Sequence, residues 1–235
     1  FLISSLKMIK NEWNQYPFPY LIIDNFLSKE KFFELQNELD QNLNTLQKKF
    51  DSPLERKNIY KNKTMKKGSK YLVKLMGSKL IKKIITEKTG EMDILSMGET
   101  PNYSGYSPYH ITNNNGFLGS HIDHSHIKSD EFRHIANTIF IASNSWNKKW
   151  GGQTIFFSNN GFKQEVLIEP IPNRLIIFLH TANSFHGVNH YFSNLNVERR
   201  TFYHDYYIHS FQISKALKHI NEKRKNNLKH SFHTT

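Results

Sequence analysis

Two histidines and one aspartate have the residue types and the spacing of a metal site. His121 and Asp123 stand two residues apart, and on a β-strand this spacing turns both side chains to one face. The pair alone has little specificity, because the chain contains 13 histidines. His186 follows an apolar segment and would complete a set of two imidazoles and one carboxylate, which leaves positions on Fe(II) open for dioxygen and an oxidisable cosubstrate. The chain has no cysteine, so every metal ligand must come from His, Asp or Glu.

Arg199 is a second candidate for the same site. It follows His186 by thirteen residues, at the start of an apolar and aromatic strand pattern. A buried guanidinium needs a carboxylate or phosphate partner, and its planar fork binds a carboxylate through two parallel hydrogen bonds. If Arg199 faces inward, strand alternation turns Thr201 inward as well and Arg200 to the opposite face.

Each of these residues also has an ordinary explanation. His121 and Asp123 could form a surface turn, His186 could be a hydrogen-bonded core histidine, and Arg199 could make a surface salt bridge. Their joint occurrence, in this order and beside strand patterns, favours the metal site. His124 and His126 are expected at the rim of a pocket rather than as ligands, because three facial ligands suffice for this chemistry.

The first 91 residues predict one short strand and a layer of helices. The strand is expected over 20–24, and Ser28 caps an amphipathic helix that is expected to run to about Gln47. The polar, lysine-rich segment 51–70 has no period and is interpreted as a long surface loop, a candidate lid over substrate. A second helical pattern covers 71–88, is interrupted at Gly77 and ends near Gly90.

The chain from residue 93 onward predicts a β-rich half. Several short apolar runs separated by turn residues indicate a double-sheet jelly roll or barrel with helices on one side. One domain is expected, made of supporting elements at 1–91, a catalytic core at 92–210 and a basic helical tail at 211–235. The runs that carry this prediction are Tyr109–Ile111, Thr138–Ala142, Gln153–Phe157, Glu165–Ile168, Leu175–Leu179 and Thr201–Ile208.

Composition limits the partners and the compartment. The net charge of +12 would suit nucleic acid, but only six of the 32 basic residues are Arg, the preferred fork for phosphates and base edges, so nucleic acid is not favoured. No apolar run reaches the length of a membrane span. The opening residues lack a signal-peptide pattern and the chain lacks cysteine, so a soluble, cytoplasmic protein is expected.

Several segments together resemble the 2-oxoglutarate/Fe(II)-dependent oxygenase superfamily, in its prolyl 4-hydroxylase-like group. The segment NGFLGSHIDH at 115–124 is similar to the family's first iron-binding segment, and SFHGV at 184–188 is similar to the segment of the distal histidine. RRTF at 199–202 resembles the terminal strand of the family. The likeness covers 109–208, with an entry strand at 17–27. Supporting segments are IASNSW at 141–146, WGGQT at 150–154, PNRLIIF at 172–178 and YY at 206–207.

The resemblance implies the fold, the metal and the reaction. The fold would be a double-stranded β-helix, a cupin-like jelly roll, in an α+β chain that is mainly β. Fe(II) would be bound by His121, Asp123 and His186, with 2-oxoglutarate and O2 as cosubstrates and ascorbate as an accessory reductant. Asp123 favours hydroxylation, because related halogenases lack this carboxylate. Gln153 and Asp205 depart from the family pattern at positions that are not ligands.

The resemblance also implies roles around the cosubstrate and the substrate. Arg199 would hold the distal carboxylate of 2-oxoglutarate, with Thr201 and Tyr109 as hydrogen-bond donors. His124, Arg174 and Trp146 are the candidates for substrate contact, although hairpin packing is favoured for Trp146, and Arg174 could be a solvated charge at a strand end.

The substrate is the least determined part of the prediction. A prolyl or peptidyl residue is favoured, and a sugar, nucleotide or other small molecule is the alternative. A different class of function is a basic jelly-roll module that binds nucleic acid or glycan without catalysis. The oligomeric state is not predicted.

Overall fold

The structure is a computed structural model, and it describes residues 12–41, 46–60, 65–100, 108–124, 126–127, 131–211 and 231–232. The three helices within these residues are α1 (Lys29–Asp40), α2 (Lys67–Met76) and α3 (Lys79–Thr89). The strands are β1 (Tyr20–Ile23), β2 (Leu46–Asp51), β3 (Glu55–Tyr60), β4 (Leu95–Ser96), β5 (Tyr109–Thr112), β6 (Gly116–Ile122), β7 (His126–Ile127), β8 (Phe132–Ile141), β9 (Thr154–Ser158), β10 (Lys163–Ile168), β11 (Leu175–Leu179), β12 (His186–Tyr191), β13 (Arg199–His209) and β14 (Ser231–Phe232). Short 3-10 turns lie at Met97–Glu99, Lys148–Trp150 and Asn159–Gly161.

The strands form one curled antiparallel sheet. Its main path runs β1, β11, β8, β13, β5, β3, β6, β12, β9 and β10, and the remaining strands pair at its margins. β3 pairs with β5 on one side and with β6 on the other, so it joins the two halves of the curl. The predicted mainly β jelly roll with helices on one side is confirmed.

The central strands of the sheet are buried on both faces. Inside the curl, Phe18, Ile139, Phe156 and Phe178 form an apolar floor. On the outer face the helices pack against aromatic residues of β8 and β13. Fully burying a large apolar side chain stabilises a fold by about 1.5–3 kcal/mol. The helix layer therefore stabilises the part of the sheet that contains β8 and β13.

Three of the helix boundaries lie where the sequence signals place them, at Ser28, Gly77 and Gly90. The Ser28 hydroxyl accepts a hydrogen bond from the Lys31 backbone N–H at 3.3 Å and caps α1. The helical pattern of 71–88 is interrupted at Gly77, and Gly90 ends α3 in the left-handed conformation with a φ of 75°. Glu38 joins α1 to α2, because its carboxylate accepts from the backbone N–H groups of Gly68 at 2.7 Å and Ser69 at 3.1 Å.

Two predictions for the N-terminal part are wrong. α1 ends at Asp40 rather than near Gln47, and the expected loop at 51–70 contains most of a β-hairpin, β2–β3, together with the start of α2. The hairpin strands are rich in Lys, Asn and Arg because one face meets solvent and the other meets a polar cavity. Their sequence therefore lacks the apolar alternation by which strands are recognised.

The predictions for the β-rich half, the C-terminal tail and the domain division have different outcomes. The strands expected after residue 93 are confirmed to within a few residues at most ends. The predicted tail helix falls largely on 212–230, outside the described residues, and the single-domain division at 91 and 210 stays a prediction. None of the helices in the described ranges has the length and apolarity needed to cross a bilayer.

Candidate metal centre and cosubstrate pocket

A cavity of about 390 Å³ opens inside the curl of the sheet. Its walls come from the inward faces of β5, β6, β8, β12 and β13, and the β2–β3 hairpin forms a further wall. His121, Asp123 and His186 share this cavity. The predicted ligands are therefore in one place.

The two histidines are neighbours across a strand pair. β12 pairs with β6 in the register that sets His186 opposite His121, and the ring centroids are 4.3 Å apart. Asp123 follows the end of β6, and its two carboxylate oxygens lie 3.3 Å from Nε2 of His121 and 3.4 Å from Nε2 of His186. One ligand atom from each of the three residues can be chosen so that all three lie within 4.8 Å of one another. Such a set can share one ion.

Backbone carbonyls fix which ring nitrogen faces the centre. Nδ1 of His121 lies 2.9 Å from the Gly119 carbonyl oxygen, and Nδ1 of His186 lies 3.0 Å from that of Ser184. A carbonyl oxygen can only accept, so each Nδ1 carries a hydrogen, and in the neutral form of each imidazole Nε2 keeps its lone pair. Neutral imidazoles oriented in this way are ready to bind a metal.

A buried amide orients the carboxylate. Nδ2 of Asn137 donates to Oδ2 of Asp123 at 2.8 Å and to Oδ1 of Asp205 at 3.2 Å. Asn137 and Asp205 stand opposite each other in the β8–β13 register. The family departure at Asp205 thus has a structural role, because it anchors the amide that holds Asp123.

The negative charge of Asp123 also acts on His186. Burial lowers the pKa of the His186 imidazole, but the Asp123 carboxylate and the Ser184 carbonyl outweigh burial, and the pKa is raised overall. The same attraction would favour a cation at this point.

Arg199 is a fully buried cation with an unused donor. It is 1% exposed and lies on the inward face of β13. Its Nε donates to the Gly152 carbonyl oxygen at 2.7 Å and its Nη2 donates to the Thr154 hydroxyl at 3.1 Å. Its Nη1 has no hydrogen-bond partner among the described residues, and none of their carboxylates pairs with the guanidinium. Burial lowers the pKa of Arg199, with an opposing contribution from Tyr203.

The expected alternation along β13 is observed. Thr201 is buried on the face of Arg199, opposite His110, and its hydroxyl lies 3.4 Å from the His110 carbonyl oxygen. Arg200 lies on the other face, where its guanidinium pairs with Asp40 at 2.5 Å and with Glu198 at 3.0 Å.

The prediction for Tyr109 needs correction. Tyr109 stands opposite Phe202 in the β5–β13 register, so it shares the outer face with Arg200. Its ring stacks on Phe202 at 4.8 Å between centroids, within the helix-side core. Its neighbour His110 lines the cavity instead. The choice between adjacent residues depends on strand register, which a single strand does not reveal.

Of the three candidates for substrate contact, one lines the cavity and two lie outside its lining. His124 lines the cavity, and its Nε2 lies 2.8 Å from the Tyr207 hydroxyl. Arg174 instead pairs with both oxygens of Asp24 at 2.6 and 2.9 Å. Trp146 donates from its indole N–H to the Gly151 carbonyl oxygen at 2.9 Å, which is hairpin packing. The predictions for Arg174 and Trp146 are not supported.

Several residues at the cavity were missed from the sequence. Tyr203 and Asp205 follow Arg199 and Thr201 at the same period of two, so alternation along β13 would have found them. Asn137 gave no distinct signal, because β8 also contains Arg133, His134 and Thr138. Lys48 and Lys57 of the hairpin gave no signal, because they were indistinguishable from solvated lysines.

The central part of the chain matches a known family. Residues 105–204 match the model of the 2OG-Fe(II) oxygenase superfamily. No curated protein matches the chain. The matched segment contains His121, Asp123, His186 and Arg199.

Solved structures with the same fold include enzymes of this superfamily. A Pseudomonas putida prolyl-4-hydroxylase aligns with a TM-score of 0.57 and 15% identity, over 81% of this chain and 92% of its own. A Trichoplax adhaerens prolyl hydroxylase, in complex with a hypoxia inducible factor peptide fragment, aligns with a TM-score of 0.53 and 16% identity, over 80% and 83%. HygX of Streptomyces hygroscopicus, with nickel, 2-oxoglutarate and hygromycin B bound, aligns with a TM-score of 0.52 and 9% identity, over 91% and 93%.

The family match covers 105–204, which is less than half of the chain, and it assigns this segment to the 2OG-Fe(II) oxygenase superfamily. Together with the cluster of His121, Asp123 and His186, the match indicates a dioxygenase with Fe(II) as cofactor and with 2-oxoglutarate and O2 as cosubstrates. The donor set fits the metal, because two neutral imidazoles and one carboxylate suit Fe(II). The unused Nη1 of buried Arg199 fits a carboxylate of the cosubstrate.

Proposed function

We propose that His121, Asp123 and His186 bind Fe(II), that Arg199 binds the distal carboxylate of 2-oxoglutarate, and that the enzyme hydroxylates a carbon of its substrate. The observation that carries this proposal is the convergence of two Nε2 atoms and one carboxylate inside the cavity. Arg199, whose Nη1 has no hydrogen-bond partner among the described residues, does not line this cavity but lies on the same face of β13 as Tyr203 and Asp205, which do. The order of these residues within the matched family segment supports it.

The protein's own groups would prepare the site before substrate arrives. The carbonyl oxygens of Gly119 and Ser184 hold both imidazoles as the required tautomer. Asn137 keeps Asp123 from rotating away from the imidazoles. With iron bound, the cofactor chemistry couples oxidation of 2-oxoglutarate by O2, to succinate and CO2, with insertion of the second oxygen atom into a C–H bond.

Arg199 would position the cosubstrate. Gly152 and Thr154 hold the guanidinium plane through Nε and Nη2, and Nη1 remains to donate to a carboxylate oxygen. Thr201 lies on the same face and can donate its hydroxyl to the same group. Fixing the distal end of the cosubstrate orients its 2-oxo acid end toward the metal.

The favoured substrate is a prolyl residue of a peptide. The support is the likeness of fold to two prolyl hydroxylases, one of them seen with a peptide fragment. A small-molecule substrate is the alternative, supported by the similar fold of HygX, whose structure contains hygromycin B. The cavity of about 390 Å³ can receive a single side chain or a small ring.

The test is succinate formation by the purified protein. With Fe(II), 2-oxoglutarate and O2 the enzyme should release succinate slowly even without substrate, and His186→Ala should reduce the rate by more than about 100-fold, because it removes a metal ligand. His209→Ala is the matched control, since His209 lies at the end of β13 and outside the cavity lining. Fe(II) binding without succinate formation, with every substrate candidate, would favour a non-catalytic binding module.

A further inference from the structure

The β2–β3 hairpin presents charged side chains to the metal cavity. Register pairs Phe50 with Lys57 and Lys48 with Ile59, so these four residues share one face of the hairpin. Glu55 stands opposite Leu118 of β6 and Ile59 stands opposite His110 of β5, and both partners line the cavity. The face that carries Lys48 and Lys57 is therefore the inward face.

Lys57 is an unusually buried cation. Its side chain is 12% exposed, and its ammonium lies 3.0 Å from a carboxylate oxygen of Glu55, which is 10% exposed. A buried ion pair contributes little net stability, because desolvation offsets the attraction between its members. Stability alone therefore does not account for this pair on the wall of a catalytic cavity.

Phe50 places a second cation beside the first. The Lys48 ammonium lies 4.1 Å from the centroid of the Phe50 ring, and the Lys57 ammonium lies 5.3 Å from the same centroid. Both contacts are within cation–π range, so one aromatic ring holds both lysines at the cavity. Each ammonium has three N–H donors. The ring face attracts the positive charge but offers no hydrogen-bond acceptor atom to these donors.

The charges that face the cavity favour an anion at the hairpin wall. That wall carries Lys48 and Lys57 against the single carboxylate of Glu55. The other carboxylates that line the cavity, Asp123 after β6 and Asp205 on β13, are engaged, Asp123 by the imidazoles and Asn137, and Asp205 by Asn137. Among the hairpin residues that line the cavity, the excess is one positive charge.

We propose that the substrate carries an anionic group, a carboxylate or a phosphate, which binds to Lys48 and Lys57 while the carbon to be hydroxylated lies at the metal. This inference rests on the proposed function and adds the substrate class. The anion site is distinct from that of the cosubstrate, because Arg199 is on β13 and bonds to Gly152 and Thr154, whereas the lysines are on β2 and β3.

The experiment compares anionic probes with neutral isosteres. Protein loaded with Mn(II) and 2-oxoglutarate, which does not turn over, is titrated by calorimetry with two pairs: acetyl-Glu-Pro-amide against acetyl-Gln-Pro-amide, and ribose 5-phosphate against ribose. The anionic member of at least one pair should bind about tenfold tighter or more, as expected for charge-assisted hydrogen bonds. The pair that shows the preference tells whether the group is a carboxylate or a phosphate.

Lysine variants connect the preference to the hairpin. Lys57→Gln should abolish the preference, and Lys48→Gln, on the more exposed strand, should reduce it. Lys49→Gln is the matched control, because Lys49 is the next residue on β2, is 64% exposed and pairs with Asp51 on the outward face. Equal binding in both pairs, absence of binding in both, or an equal effect of Lys49→Gln overturns the inference. A loss of 2-oxoglutarate affinity in Lys57→Gln as large as in Arg199→Ala also overturns it.

The two proposals fail separately. If the Fe(II)-loaded wild-type enzyme forms succinate but binds the anionic and neutral probes equally, only the proposal of an anionic substrate is wrong. A lysine-dependent anionic preference without succinate formation would leave an anion site in a protein that does not perform the proposed reaction.

Discussion

The two faces of β13 serve different purposes although they alternate residue by residue. The inward face carries Arg199, Thr201, Tyr203 and Asp205, all of them polar or with a polar end, and it forms part of the candidate site. The outward face carries Phe202, Tyr206 and Ile208, which pack under the helices. Both faces are buried, so burial alone does not identify the functional face. The residue types opposite each other across the strand pairs do.

Replacing each of the two adjacent arginines by alanine gives the largest expected difference, which is in the affinity for 2-oxoglutarate. Arg199→Ala should weaken 2-oxoglutarate binding by about 100-fold, because it removes charge-assisted hydrogen bonds in a buried site. Arg200→Ala should change this affinity by less than about threefold, since its guanidinium pairs with Asp40 and Glu198 on the outer face. Calorimetric titration of the Mn(II)-loaded variants measures both. Equal losses would show that the β13 register is wrong.

Asn137 tests whether the inward face orients the metal ligand. Asn137→Ala should weaken Fe(II) binding by about tenfold, the usual effect of removing a group that holds a ligand in place. Asn144→Ala, in an exposed turn, is the control. Metal affinity is measured by competition with a chelator. Unchanged affinity in Asn137→Ala, with unchanged thermal stability, would show that Asp123 needs no such support.

His204, on the outward face, is expected to affect the pH dependence of stability and not the candidate site. Burial lowers the pKa of its imidazole to about 3, so the folded protein keeps it neutral. The unfolded chain, with a histidine pKa of about 6.5, binds a proton that the folded chain rejects. His204 therefore favours folding fully above about pH 6.5, and this contribution is lost as the pH falls below that value, by at most about 1.4 kcal/mol per pH unit.

Urea unfolding of the wild type and of His204→Leu between pH 4 and pH 7 checks the His204 prediction. Leucine keeps the apolar volume and removes the titration, so the variant should lose less stability than the wild type on acidification. Parallel curves for the two proteins would mean that His204 is protonated without penalty in the folded state.

The cluster of candidate metal ligands could be predicted from the sequence because its geometry is local or repeats with the strand period. His121 and Asp123 have the spacing that one strand face requires, and Arg199 and Thr201 follow the same rule. The jelly roll was predictable because apolar runs of strand length alternate with turns throughout the second half of the chain.

The parts that could not be predicted depend on partners distant in sequence. Tyr109 and His110 are adjacent, and only the pairing of β5 with β13 decides which of them faces the cavity. The hairpin at 46–60 has lysines on both faces, so its inward face has no apolar signature. Asn137 gains its role only when β8 brings it beside Asp205 and Asp123.

His121 and His186 face each other as a cross-strand pair. The affinity of the proposed site for a metal therefore depends on the register of β12 against β6. A slip of one residue would turn His186 to the other side of the sheet while leaving the content of secondary structure nearly unchanged. Iron titration could therefore distinguish correctly assembled molecules from misaligned ones in a refolding mixture that circular dichroism would score as uniform.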